Sequence, residues 1–151
     1  MHSIALDAKG RLALPTRVRE QLAARSDRQL ILTVHPWETD ATCLLLYPLP
    51  EWEEVERKVN RLPNHHPASR RTQIMLIGHA AEVELDGAGR VQLPVELREY
   101  AQFDKRVTFF GAGNKFEIWD EAVFREQRAL WPRQARDDNG NLNPDLASLS
   151  I

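Results

Sequence analysis

The string LDAKGRLALP at residues 6–15 returns as LDGAGRVQLP at residues 85–94. Extended to residues 20 and 99, the two copies agree at eight of fifteen positions at a constant offset of 79. The likeness continues, in pattern more than in letters, as far as LLLYPLPEW (44–52) and FEIWDEAVF (116–124). A chain that repeats itself this way builds one structural unit twice, so whatever the unit needs in order to fold should be present in both copies. What differs between the copies is then a candidate for something other than folding.

Within each copy the apolar period is two. Ala81, Val83 and Leu85 alternate with Glu82, Glu84 and Asp86, and beyond the shared turn Leu12 and Leu14, or Val91 and Leu93, resume the apolar face. This predicts a pair of strands around each turn. Pro15 and Pro94 then sit where a helix can begin, and Val18 with Leu22, or Leu97 with Ala101, supply its i, i+4 contacts. Two more strands follow in each copy, Leu30 to Val34 with Cys43 to Tyr47, and Val107 to Phe110 with Lys115 to Trp119.

Between the copies, Pro50 opens a predicted helix with Trp52, Val55, Val59 and Leu62 on one face, broken at Leu62-Pro63-Asn64. A second helix is predicted from Pro67 to near Gly78, carrying Ile74 and Ile77 inward. After the second copy, Asp120 is placed to cap a helix running to about Leu130, with Pro132 as its stop and a polar, mobile tail beyond. The organisation read from the sequence is repeat 1 over 1–50, connecting helices over 51–79, repeat 2 over 80–123, and a C-terminal helix and tail over 124–151.

Composition narrows the function. No apolar run approaches the roughly 18–20 residues of a membrane span. No signal peptide is visible, and the solitary Cys43 fits a reducing cytoplasm and reads as a small buried hydrophobe. The five histidines show no H-x-x-x-H spacing and there is no second cysteine, so zinc-ligand patterns are missing and neither a metal nor a cofactor is expected. His79 reads as a packing or backbone-bonded residue and His65 with His66 as solvated. Glu82, Glu84 and Asp86 read as a solvent-facing row rather than an acid/base pair, and Trp52, Trp119 and Trp131 as core or subunit contacts. An enzyme, or a small-molecule substrate, is not indicated.

Charge is distributed unequally. The net charge is −2. Residues 1–30 nevertheless hold six basic against three acidic side chains, while residues 80–106 hold four against six. Lys9 has become Ala88 and Arg17 has become Glu96 while the scaffold letters persist. On charge alone the first copy is the one to attract a polyanion.

At each turn Asp7 or Asp86 is suited to accept backbone hydrogen bonds, and Gly10 or Gly89 can take a positive φ. Arg11 and Arg90, four positions beyond the aspartates, either staple the turn or project outward. A guanidinium on a rigid turn suits guanine O6/N7 or phosphate, because its planar donors form two parallel bonds. One such contact contributes about 1–3 kcal/mol of discrimination, against the roughly 4–10 kcal/mol that separates specific from non-specific binding. Several subunits acting on a repeated DNA element would be required.

LDAKGRLALP, CLLLYPLPEWE, GHAAEVELDGAGR and NKFEIWD together resemble the MraZ family, bacterial transcriptional regulators built from two SpoVT-AbrB (AbrB-like) repeats. The resemblance implies a mainly β, α+β fold in which the tandem repeats form a swapped-hairpin β-barrel within one subunit. It implies ring-shaped homo-oligomers, octameric or larger, residing on the nucleoid. It further implies binding to short direct repeats in double-stranded promoter DNA upstream of the division and cell-wall gene cluster, usually repressing that cluster and the protein's own gene. The family's D-x-x-x-R signature falls on Asp7 with Arg11 and on Asp86 with Arg90. DNA contacts are accordingly expected from Lys9, Arg11, Arg17 and Arg19, with Asp7, Gly10, Asp86 and Gly89 shaping the turns and Arg90 secondary. The rival reading is a protein-binding or assembly ring, antitoxin-like, that docks partners through the acidic second repeat.

Overall fold

The computed structural model describes residues 1–25, 28–37, 42–137, 145, 148 and 149. The chain divides into two units, Met1–Glu121 and Ala122–Ile151. Along the chain run β1 (His2–Ala5), β2 (Arg11–Ala13), α1 (Thr16–Ala24), β3 (Gln29–Val34), β4 (Leu44–Pro48), α2 (Leu49–Asn60), α3 (Pro67–Gly78), β5 (Ala81–Glu84), β6 (Arg90–Gln92), α4 (Val95–Tyr100), β7 (Arg106–Ala112), β8 (Lys115–Asp120) and α5 (Glu121–Asp137). Strands outnumber helices among the described residues and set the architecture, as expected of a mainly β, α+β chain.

Six strands form one antiparallel sheet in the order β1-β7-β8-β4-β3-β5, and β2 pairs with β6 in a separate ribbon. The order is palindromic under the repeat: β3–β4 and β7–β8 are equivalent hairpins that meet at β4–β8, and the first strand of each repeat lies outside the hairpin of the other. The strands flanking each turn therefore do not pair with one another as the alternation suggested. β1 crosses to β7, β5 crosses to β3, and β2 crosses to β6, which is the swapped arrangement. The hydrogen-bonded wall is not closed into a barrel, however. The ribbon strands are three residues long, end at Leu14-Pro15 and Leu93-Pro94, and join the β5 side of the sheet through a single bridge, Leu85 to Val91.

The repeats share one core. Leu12 and Val91 face each other across the ribbon and are fully buried, packed with Leu30, Leu32, Val34, Leu44, Leu46, Val107, Phe109 and Ile118. β3 and β4 are buried on both faces, which explains the unbroken apolar run at 43–47. The far face of this hairpin carries Ile31, Thr33, Leu45 and Tyr47, and α2 and α3 cover it. The Thr33 hydroxyl is satisfied there by donating to the Leu76 carbonyl at 2.6 Å, as a buried hydroxyl must be.

Trp52 and Val59 are buried and Val55 half-buried on the predicted face of α2, with Trp52 against Tyr47 at 5.6 Å. In α3 the inward residue is Leu76, and Ile74 is 51% exposed, contrary to expectation. Two residues apart on a helix is about 200°, and the phase is set elsewhere. Leu76 is buried, and the Gln73 amide caps the end of α2 by donating to the Val59 and Leu62 carbonyls at 3.1 and 3.3 Å. Pro15 and Pro94 stand one position before their helices rather than inside them, with φ of −55° and −57°.

The C-terminal helix runs further than its sequence suggested. Asp120 ends β8 immediately before α5 begins at Glu121, and its buried carboxylate accepts the Asp104 N–H at 3.1 Å. Pro132 lies inside α5, which continues to Asp137. Proline in a helix interior costs about 3 kcal/mol, and the good helix formers that follow, Arg133, Gln134 and Ala135, offset part of this. Phe124 and Trp131, seven apart and both ahead of that proline, pack edge-to-face at 5.7 Å. Of the predicted mobile tail beyond Pro132, residues 133–137 are helical and the rest lies almost entirely outside the described residues.

Candidate nucleic-acid interface

Each turn is held by its aspartate. Asp7 Oδ1 accepts the N–H groups of Lys9 and Arg11, both at 2.9 Å, and Oδ2 accepts Arg11 Nε at 2.6 Å. Asp86 Oδ1 accepts the N–H groups of Ala88 and Arg90 at 2.9 and 2.8 Å, and Oδ2 accepts Arg90 Nε at 3.0 Å. Gly10 and Gly89 donate to the carbonyls of Asp7 and Asp86, both at 3.0 Å, with φ of +74° and +76°. A Cβ is disfavoured there.

These donors act on the carboxylates. Asp7 is held below its ordinary pKa chiefly by the Arg11 backbone N–H, with partial desolvation opposing and the Arg11 side chain and Lys9 N–H assisting. Asp86 is lowered in the same way, first by the Arg90 backbone N–H. Both aspartates are ionised at neutral pH and fix one edge of the guanidinium. The Arg11 and Arg90 side chains are 28% and 35% exposed, and among the described residues their terminal nitrogens have no acceptor. Each is therefore an oriented cation whose outer donors remain available, neither sealed in the core nor free to swing.

The ribbon joins the turns crosswise. Leu93 N–H donates to the Gly10 carbonyl at 3.1 Å and Leu14 N–H to the Gly89 carbonyl at 3.0 Å. The start of α4 therefore stands beside the first turn and the start of α1 beside the second. Arg98 of α4 covers Gly10, where a Cβ would meet its Nε and Nη1 at 2.6 Å. Arg19 of α1 covers Gly89, where a Cβ would meet its Nη1 at 2.6 Å.

This crossing rearranges the charges read from the sequence. Lys9 is exposed on the first turn, whereas Arg17 is exposed on α1, the helix whose start is tied to the second turn through Leu14. Glu96 is likewise brought to the side of the first. Arg19, expected with the Arg11 cluster, is half-buried on the second turn. The surplus of the first copy is thus shared between both turns, and what stays with the first is Lys9.

Two residues of this surface escaped the sequence reading. Gln92 donates from Nε2 to the Lys9 carbonyl at 2.8 Å, bracing the first turn, and its counterpart in the first copy is Ala13, which has no such group. Arg98 also went unremarked, although its identity with Arg19 at the repeat offset was a signal. Of the other candidates, His79 bonds the Met75 carbonyl through Nδ1 at 2.8 Å and packs on Tyr100. Cys43 is buried, Trp119 is buried and Trp131 is 41% exposed. Among the described residues no three His, Cys, Asp or Glu side chains converge on a metal-sized site, and no helix is long and apolar enough to cross a membrane.

The family model described as MraZ protein, whose description also carries the term antitoxin-like, matches residues 1–75 and 76–137. Its two matches divide the chain at the repeat. A relative from Methylococcus capsulatus, named transcriptional regulator MraZ, is 48% identical over 152 aligned positions covering all of this chain and 97% of the relative. Relatives of the same name from Coxiella burnetii and Halorhodospira halophila are each 44% identical over 151 residues, again covering the whole of this chain and 97% of theirs.

Proposed function

Because this chain belongs to the MraZ family, we propose that it is a transcriptional regulator that binds double-stranded promoter DNA through its two aspartate-pinned turns. The observation that carries the reading is the pair of equivalent arginines, each anchored by Nε to an ionised aspartate, with outer donors that meet no acceptor among the described residues. A fold-only staple would have no need of the lysine beside the first. Lys9 contacts phosphate, Arg11 is the leading base or phosphate contact, Arg90 is secondary, and Arg17 adds charge at the second turn.

A single subunit carries too little of this chemistry for specificity. If each bidentate arginine contributes about 1–3 kcal/mol, several copies must engage to reach the roughly 4–10 kcal/mol that separates a specific site from bulk DNA. The protein therefore acts as a homo-oligomer, a ring of eight or more subunits, on short direct repeats. Repression of the division and cell-wall gene cluster and of its own gene, from a cytoplasmic, nucleoid-associated position, completes the proposal.

The test is titration of the promoter fragment upstream of its own gene at several salt concentrations. Affinity should fall with a log-log slope of about −0.9 per phosphate neutralised, and Arg11→Ala should remove specific binding while leaving the assembly size unchanged by light scattering. Wild-type affinity in Arg11→Ala would sink the assignment. The second reading, a protein-docking ring without DNA contact, draws on the exposed Glu82, Glu84, Glu96 and Glu99 of the second repeat; no binding even at low salt would favour it.

A further inference from the structure

We propose that Arg98 and Arg19 are positioning residues that act across the repeat boundary: Arg98, from the second repeat, sets the DNA-contacting turn of the first, and Arg19, from the first, sets the turn of the second. The inference deepens the DNA-binding reading and rests on it for its functional half.

The geometry is a pair of arginines laid over glycine peptides. Both Gly10 and Gly89 are buried in spite of lying in surface turns, because a guanidinium covers each one. The glycine is required twice over, once by its positive φ and once because a Cβ would occupy the space of the arginine. A planar group is needed for this cover, and a lysine ammonium has no plane to offer. The covered glycine immediately precedes Arg11 or Arg90, so the position of the cover is passed directly to the residue whose outer donors face solvent.

The two covers are unequal. Arg98 Nε donates to the Leu93 carbonyl at 3.0 Å, locking the side chain over Gly10. Arg19 donates from Nη2 to the Thr16 hydroxyl at 3.0 Å, while its Nε is buried with no partner among the described residues. An orphaned buried donor is costly, and a cover so held is easier to displace. The first turn has in addition the Gln92 brace. The first turn is therefore the more rigid of the two, which is the property required of a leading contact and which its sequence alone does not reveal.

The test reads turn order and DNA affinity separately, on the full-length oligomer. Hydrogen exchange by mass spectrometry is followed in peptides covering 6–14 and 85–93 for wild type, Arg98→Met, Arg98→Lys and Arg19→Met. Arg98→Met should speed exchange at 6–14 and leave 85–93 unchanged, and Arg19→Met should do the reverse. Promoter affinity should fall roughly tenfold or more in Arg98→Met, the scale of losing a good arginine contact, and less in Arg19→Met. Arg98→Lys should fail to restore either reading.

Acceleration of a turn by the arginine of its own repeat, or of both turns equally, overturns the crossed assignment. So does full recovery of affinity in Arg98→Lys, which would make Arg98 a plain phosphate contact. Should Arg98→Met fail to assemble, Arg98→Lys and Gly10→Ala carry the same test, since each displaces the cover while keeping the charge. Crossed exchange together with unaltered DNA binding in both Arg98→Met and Arg11→Ala would support the positioning and sink the DNA-binding reading instead.

Discussion

The two turns are the same backbone object made twice, and they are not equally equipped. Asp7 and Asp86 collect the same three donors, Gly10 and Gly89 adopt the same φ within two degrees, and each turn is bonded to the other repeat through the equivalent ribbon N–H. The differences lie in what surrounds them. The first turn carries Lys9 where the second has Ala88, is braced by Gln92, and is covered by an arginine whose Nε is satisfied. Duplication thus kept the groups that a turn needs in order to form, and left free those that decide how firmly and with what charge its arginine is presented.

The comparison is open to attack at several points. The largest effect should come from Arg11→Ala, with promoter affinity falling at least ten- to a hundredfold, the range of a single bidentate contact before multiplication over subunits. Arg90→Ala should lose clearly less in the same assay, and equal losses would remove the distinction between the turns. Arg17→Ala sharpens the crossing. Its effect on DNA affinity should be non-additive with Arg90→Ala and additive with Arg11→Ala, because residues that share a surface couple and distant ones do not.

Next in size are the glycines. Gly10→Ala and Gly89→Ala each force a Cβ into the left-handed region, at about 1–2 kcal/mol, and each must expel an arginine. Gly10→Ala should lower the melting temperature more, since the Arg98 it displaces also gives up a bond to Leu93. If Gly89→Ala proves the more damaging, the two covers have been ranked in the wrong order.

A pH experiment follows. Both aspartates have folded-state pKa values below the ordinary one. Their contribution to stability is therefore complete above about pH 4, the unfolded value, and is lost as pH falls through the folded value. The difference in melting temperature between wild type and Asp7→Asn should be constant near neutrality and shrink progressively below about pH 4. A gap that persists undiminished in acid would mean the carboxylate charge is not what pins the turn. The smallest expected effect is that of Gln92→Ala, a modest gain in exchange at residues 6–14 with little change in melting temperature.

Much of this was legible in the sequence. The turn residues announced themselves because Asp, Gly and Pro act on their own neighbours, and the strands and α2 because their apolar periods are local. Ile74 was misplaced because the phase of a short helix with few apolar residues is decided by what it packs on, here through Gln73 and Leu76. Pro132 was read as a stop from its local cost, whereas α5 runs on to Asp137. Trp37, 72% exposed with its indole N–H directed at Thr72, gave no signal that would have separated it from the buried tryptophans.

The amino-acid sequence by itself determined that this chain makes one unit twice, that each unit turns on an Asp-x-x-Gly-Arg corner, and that the protein belongs to the MraZ family. Those are matters of residues within a few positions of each other, where sterics and local hydrogen bonds decide. Only the tertiary structure decided that β1, β2 and β5 pair with the opposite repeat, that Arg98 covers Gly10 and Arg19 covers Gly89, and that α1, the helix carrying Arg17, starts beside the second turn. Pairing across 79 residues depends on which apolar faces can be buried together, and no local pattern records it.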